Sequence, residues 1–153
     1  MKKILILSIG TIKEKPYREL ISKYITRLRV ESRIELVELP ALSFSDKNKL
    51  EVKKKESEKI LIFLEKRLNS KTFLLSENGV EMDSIKFSKK IFSVNEEIIF
   101  VIAGSLGFDF SVLSSYDKIS LSKMTFLHEM TKVILIEQIY RAFKIEKGSN
   151  YHY

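Results

Sequence analysis

The sequence predicts an α/β fold, a mostly parallel sheet covered by helices on both faces. Two apolar runs, at 4–9 and 98–103, are near-continuous in isoleucine, leucine, valine and phenylalanine. Strands buried on both faces read this way. Between such runs the apolar spacing changes to three and four residues, the period of an amphipathic helix. No internal repeat, low-complexity tract or linker breaks the alternation, so residues 1–153 read as a single domain.

The first strand, 4–9, ends at Gly10-Thr11. Pro16 suits the first turn of a helix, where a missing N–H costs nothing. Leu20, Ile21, Tyr24, Ile25 and Leu28 then recur at helical spacing, predicting a helix over 16–30. Ile34, Leu36 and Val37 mark a second strand, stopped by Pro40, and 41–45 has no clear period. A second helix is expected over 46–68. Its front interleaves Lys53, Lys54, Lys55 and Lys59 with Glu51, Glu56 and Glu58, which reads either as a solvated face or as a phosphate contact.

A third strand is expected at 72–75, with Glu77-Asn78-Gly79 as a tight turn after it. Asp83 or Ser84 can cap a short helix bearing Ile85, Phe87, Ile91 and Phe92. The strand at 98–103 runs into Gly104-Ser105-Leu106-Gly107, and Asp109 is placed to cap another short helix. A fifth short strand is expected at 118–121. The last helix, 130–145, holds four consecutive apolar residues at 133–136, more than one face can bury. Such a helix is shared with a second subunit, giving a homodimer, or is wedged between the sheet and the first helix.

A hydrophobic fraction of 44% with 31% charged residues fits a soluble globular protein, not a disordered one. There is no cysteine, which excludes disulfides and thiolate zinc sites, and two histidines are too few for a histidine-based metal centre. No segment approaches the length of a membrane span, so a cytoplasmic protein with no membrane partner is expected. The net charge of +7 is unevenly placed. Residues 1–70 carry 17 basic against 10 acidic residues, while the remainder is balanced. Such a surface attracts polyphosphate, with nucleic acid the usual partner.

The glycine turn at 104–107 follows a strand, which lets backbone N–H groups face a ligand, but it lacks the spacing of a dinucleotide or nucleoside-triphosphate loop. The stretch Ser120-Leu121-Ser122-Lys123-Met124-Thr125-Phe126-Leu127-His128 is too polar for a core element and too long for a minimal turn. Strand, glycine turn, short strand, polar loop and closing helix together make a ligand crevice of the open α/β kind. A hydrolase using Ser122 and His128 would require the two side chains to meet in space, and no G-x-S-x-G elbow accompanies them.

Several blocks carry a resemblance: Phe100-Val101-Ile102-Ala103-Gly104, Leu121 to Thr125, His128, Glu137-Gln138-Ile139-Tyr140-Arg141-Ala142 and Tyr151-His152. Together with the opening Ile6-Leu7-Ser8-Ile9-Gly10 they resemble the large-subunit ribosomal RNA methyltransferase H family, over essentially the full chain. The resemblance implies a SPOUT-class fold with a C-terminal trefoil knot, a homodimer, and S-adenosylmethionine as methyl donor. It further implies methylation of N3 of a pseudouridine in 23S rRNA on the assembled ribosome, with no metal. Carried over by position, Leu75, Gly104, Leu121, Ser122, Lys123, Met124, Thr125 and Phe126 would line the donor site. Arg141, Tyr151 and His152 would be catalytic and face the RNA. The chain departs from the family pattern at Ala103, Leu106, Asp109 and Leu127, and in the tail from Asn150 to Tyr153. A non-catalytic ribosome-binding or assembly factor of the same fold is the alternative.

Overall fold

A computed structural model describes residues 1–152; the terminal Tyr153 lies outside the described residues. Five strands and four helices alternate: β1 (Lys2–Ile9), α1 (Lys15–Leu28), β2 (Ser32–Leu39), α2 (Lys49–Glu65), β3 (Ser70–Glu81), α3 (Ser84–Ser93), β4 (Glu97–Ile102), β5 (Asp117–Ser120) and α4 (His128–Glu146). The strands form one sheet in the order β2-β1-β4-β3-β5, and every pairing is parallel.

Alternation along each strand divides the core in two. Ile4, Ile6, Phe73, Leu75, Ile98, Phe100 and Ile102 face α1, α3 and α4. Leu5, Leu7, Ile9, Leu74, Ile99 and Val101 face α2 and the segment around Phe108 and Leu113. The fixed hand of parallel crossovers accounts for the division. Connections stepping toward β2 leave α1 and α3 on one face, and those stepping toward β5 leave α2 and residues 103–116 on the other. Burying one side chain such as Phe100 contributes about 2–3 kcal/mol.

Local signals behave as their chemistry requires at several ends. Pro16 lies in the first turn of α1, and the Asp83 carboxylate caps α3 by accepting from Lys86 N at 2.7 Å. Three expectations are corrected. Glu77-Asn78-Gly79 is no turn but extended chain within β3, which passes over a bulge to rejoin β5 through Val80 and Ile119. Asp109 starts no helix; its carboxylate turns back onto the Ser111 N–H and hydroxyl, so 109–116 is a run of turns. The apolar run at 133–136 is largely satisfied within one chain. Val133, Leu135 and Ile136 are buried between the sheet, α1 and α3, and only Ile134 is half-buried. That run by itself requires no second subunit.

Three charged side chains prove to be internal, one of them, Glu56, on the helix face that could be read as solvated. Glu56, Glu129 and Lys132 are buried. Lys132 pairs with Glu38 at 3.2 Å, and Glu129 Oε1 accepts the backbone N–H groups of Lys13 and Glu14, tying the start of α1 to the start of α4. No helix among the described residues is long and apolar enough to cross a membrane.

Candidate active site

Strand ends are where an open parallel sheet leaves backbone groups and loops free to meet a ligand. Here a crevice of about 570 Å³ opens at the carboxyl ends of β3, β4 and β5. Leu75, Ser76, Glu77 and Asn78 form one wall, and the turn from Ile102 to Phe108 forms another. The loop after β5 closes it with Leu121, Ser122, Met124, Thr125, Phe126 and Leu127, and α4 adds His128 and Thr131. Seven of the eight positions expected at a donor site therefore meet in one place: Leu75, Gly104, Leu121, Ser122, Met124, Thr125 and Phe126. Lys123 does not; its side chain is exposed and lies off the wall.

The loop 121–127 holds its shape with its own side chains. Ser120 Oγ donates to Ser122 O at 2.8 Å, Met124 N donates to Ser122 Oγ at 3.0 Å, and Thr125 Oγ1 donates to Glu77 Oε1 at 2.8 Å. The Glu77 carboxyl is held below the usual range by its own backbone N–H and then by Thr125. Among the described residues, the backbone N–H and C=O groups of Lys123, Thr125 and Phe126 bond to nothing within the chain. They are open to a ligand.

Gly104 allows the turn to sit close to β1 and α2. A side chain there would meet Ile9 Cγ2 at 3.0 Å and the Glu56 carboxylate at 3.2 Å. Gly107 N–H closes the turn onto Gly104 O at 3.1 Å, with Gly107 at φ +77°. The hydrolase constellation does not form: the Ser122 hydroxyl is engaged with Met124 N, and no hydrogen bond joins it to His128. His128 begins α4 and packs near Gly10.

A second cluster sits at the end of α4. Glu137 Oε1 accepts from Arg141 Nε at 3.1 Å, from Arg141 Nη2 at 2.7 Å and from the Tyr151 hydroxyl at 3.2 Å. Arg141 Nη1 lies 3.4 Å from His152 Nδ1, and its guanidinium covers the Tyr151 ring, 4.8 Å from the centroid. Tyr140 meets Tyr151 edge-on at 4.9 Å. Burial, then the hydrogen bond with Tyr24 and the charge of Glu137, hold the Tyr151 phenol far above its ordinary pKa. It stays protonated at neutral pH, a donor and not a base. Arg141, Tyr151 and His152 are thus brought together, but away from the crevice. His152 faces a separate cavity of about 480 Å³ between β5, α3 and α4, and Leu121 is the wall common to both.

Sequence reasoning placed none of Lys53, Glu77 and Glu137 at the site. Lys53 stood only within a run of possible phosphate contacts, and the signal for Glu137 was its helical spacing of four from Arg141. Among the described residues no group of acidic or histidine side chains is arranged to hold a metal ion.

A parallel sheet with a crevice built by a glycine turn and a polar loop before the last helix defines a class. A family model described as Predicted SPOUT methyltransferase matches residues 1–152, and the chain belongs to that family. The Ribosomal RNA large subunit methyltransferase H of Enterococcus faecalis is 38% identical over 159 residues, covering 98% of this chain and 99% of that one. Its namesake from Ruminiclostridium cellulolyticum is 41% identical over 161 residues, with the same coverage. Within the class, the chain is a member of the ribosomal RNA large subunit methyltransferase H family. A solved structure described as a probable methylase family protein from Haemophilus influenzae superposes at a TM-score of 0.61. It covers 99% of this chain and 71% of that one at 12% identity, a likeness of fold.

Proposed function

We propose that this protein transfers a methyl group from S-adenosylmethionine to N3 of a pseudouridine in 23S rRNA, acting as a homodimer on the assembled ribosome. The observation that carries the reading is the convergence of Leu75, Gly104 and the 121–126 loop on one crevice, in a chain whose relatives are named as methyltransferases of large-subunit ribosomal RNA. The residues fit such a donor. Leu75, Leu121 and Phe126 offer apolar surface to an adenine, and the unpaired backbone groups of Lys123, Thr125 and Phe126 offer its edge both donors and acceptors. Lys123 takes part through its backbone alone.

The donor supplies a methyl group on a positively charged sulfur, already an electrophile. The protein's own work is alignment and stabilising the negative charge that develops as the imide loses its N3 proton. Arg141 is suited to the second task, since it carries a permanent charge held in place by Glu137. Tyr151, kept protonated, orients Glu137 and packs beneath Arg141. That leaves His152 as the group of the cluster able to take a proton.

Within one chain Leu121 stands between this cluster and the crevice, which favours a site completed by a second subunit. Met124, Leu127 and Met130 are exposed on the loop and the first turn of α4, the apolar surface such a contact needs. The trefoil knot belongs to the same reading, supported by the chain's membership of the SPOUT family.

Arg141→Ala tests the assignment: single-turnover methylation should fall by about 10²–10³, with donor affinity unchanged by calorimetry. Undiminished methylation would show that Arg141 does not serve the chemistry.

A further inference from the structure

The lysine run on α2 is divided by the fold. Lys54 is exposed, and Lys55 pairs with Glu51 at 2.8 Å, one turn back along the helix. Lys53 is half-buried and lines the crevice, the only lysine or arginine that does so among the described residues. Among the described residues, no hydrogen bond or ion pair occupies its ammonium. Its charge reaches Asp109, whose carboxyl is held low first by the Ser111 hydroxyl and only in smaller part by Lys53. Lys53 is therefore a cation facing the crevice with its partner missing.

The element beneath it is anchored to two neighbouring loops, the one after β2 and the one that carries the glycine turn. Glu56, one turn on, is buried and accepts Leu42 N at 3.0 Å, while its other oxygen lies against Gly104. Ser57 is buried and accepts Asp109 N at 2.8 Å. These two bonds hold α2 against both the loop after β2 and the glycine turn, so Lys53 is presented from a rigid element. The crevice walls are otherwise apolar side chains, hydroxyls and amides, with Glu77 on the wall formed by β3 and the His128 imidazole at the start of α4. A half-buried ammonium in such a site recognises a small carboxylate better than an exposed lysine does, because less water competes for it.

We propose that Lys53 determines specificity for the amino-acid end of the methyl donor, its ammonium pairing with the donor's α-carboxylate. This rests on the donor reading above and adds a residue and a recognised group to it.

Calorimetry with two probes tests it: S-adenosylmethionine, and its decarboxylated analogue, which keeps the nucleoside, sulfonium and amine. Wild type should prefer the carboxylated probe by about tenfold, the equivalent of ~1.4 kcal/mol. Lys53→Met should lose about that factor for S-adenosylmethionine alone, leaving the analogue unaffected and the preference gone. Lys53→Arg should keep most of it. A Lys53→Met protein that still prefers the carboxylated probe overturns the assignment, as does a wild type that binds both equally. Unchanged donor binding in Lys53→Met together with a shallower salt dependence of ribosome binding overturns it in favour of an RNA phosphate contact. A wild type that binds neither probe overturns both this assignment and the donor reading beneath it.

Discussion

Replacing Gly79 with alanine would push a methyl group into the backbone of the neighbouring strand. A Cβ built there lies 2.5, 2.6 and 2.7 Å from Ile119 C, N and Cα, where ordinary contact begins near 3.4 Å. These atoms of Ile119 are main chain in β5, so no side-chain rotation relieves the clash. The end of β3 and β5 must part locally by about 1 Å, which is the overpacking regime of about 1–3 kcal/mol. Weakening one ladder bond adds about 1 kcal/mol. A total near ~3 kcal/mol corresponds to a fall in Tm of about 6–12 °C for a chain of this size. Since β5 leads directly into the 121–127 loop, donor affinity should fall as well. Gly107→Ala is the control: its φ is +77°, but nothing lies within 4 Å of the added methyl. It should cost only the left-handed strain of about 1–2 kcal/mol. Thermal unfolding by circular dichroism and calorimetry with S-adenosylhomocysteine read both effects. A Gly79→Ala protein melting within a degree of wild type, or less affected than Gly107→Ala, would refute the reasoning.

Other substitutions probe the frame around the site. Leu127 has φ −54° and ψ 136°, and among the described residues its N–H makes no hydrogen bond. Leu127→Pro should therefore raise stability by about 0.4–1 kcal/mol, read as a higher urea midpoint; a loss would show that the loop needs another geometry. Lys132 is buried against Glu38, itself a third exposed. Lys132→Met should cost about 2 kcal/mol, less than a fully buried pair because Glu38 can turn to water, and adding Glu38→Gln should recover part of it. Burial raises the Glu31 pKa, but hydrogen bonds and charge from Lys147 and Lys144 outweigh it and hold the carboxyl below its usual range. The folded value is the lower one, so this stabilisation is present at neutral pH and lost as pH falls through the folded pKa. Glu31→Gln should be the weaker protein at pH 7, with the gap closing toward pH 3; a gap independent of pH would assign the effect to packing.

Strands buried on both faces were the most legible part of the sequence, because a run such as 98–103 admits little else once flanked by turns. Pro16 and Asp83 were legible for a related reason: a fixed φ and a capping oxygen act within a few residues. Gly79 was not. A glycine after a strand reads as a turn, and only the partner strand reveals that the missing side chain makes room for Ile119. Glu56 and Lys132 failed likewise, since a charged residue on a helix becomes internal only when another element brings its partner. At the site, the loop that closes the crevice was recoverable through its family resemblance, whereas Lys53 could not be told from Lys54 and Lys55 until α2 was docked on the sheet. The separation of the Arg141 cluster from the crevice was invisible for the same reason, because it depends on where the tail of α4 folds back.

The most direct test is methyl transfer from labelled S-adenosylmethionine to assembled ribosomes isolated from cells lacking this activity, with the modified base mapped. The account predicts label at N3 of a pseudouridine in 23S rRNA, abolished in Arg141→Ala. Donor binding without label would contradict it in favour of a ribosome-binding factor that keeps the fold. Label at another base or atom would leave the class intact and overturn the substrate.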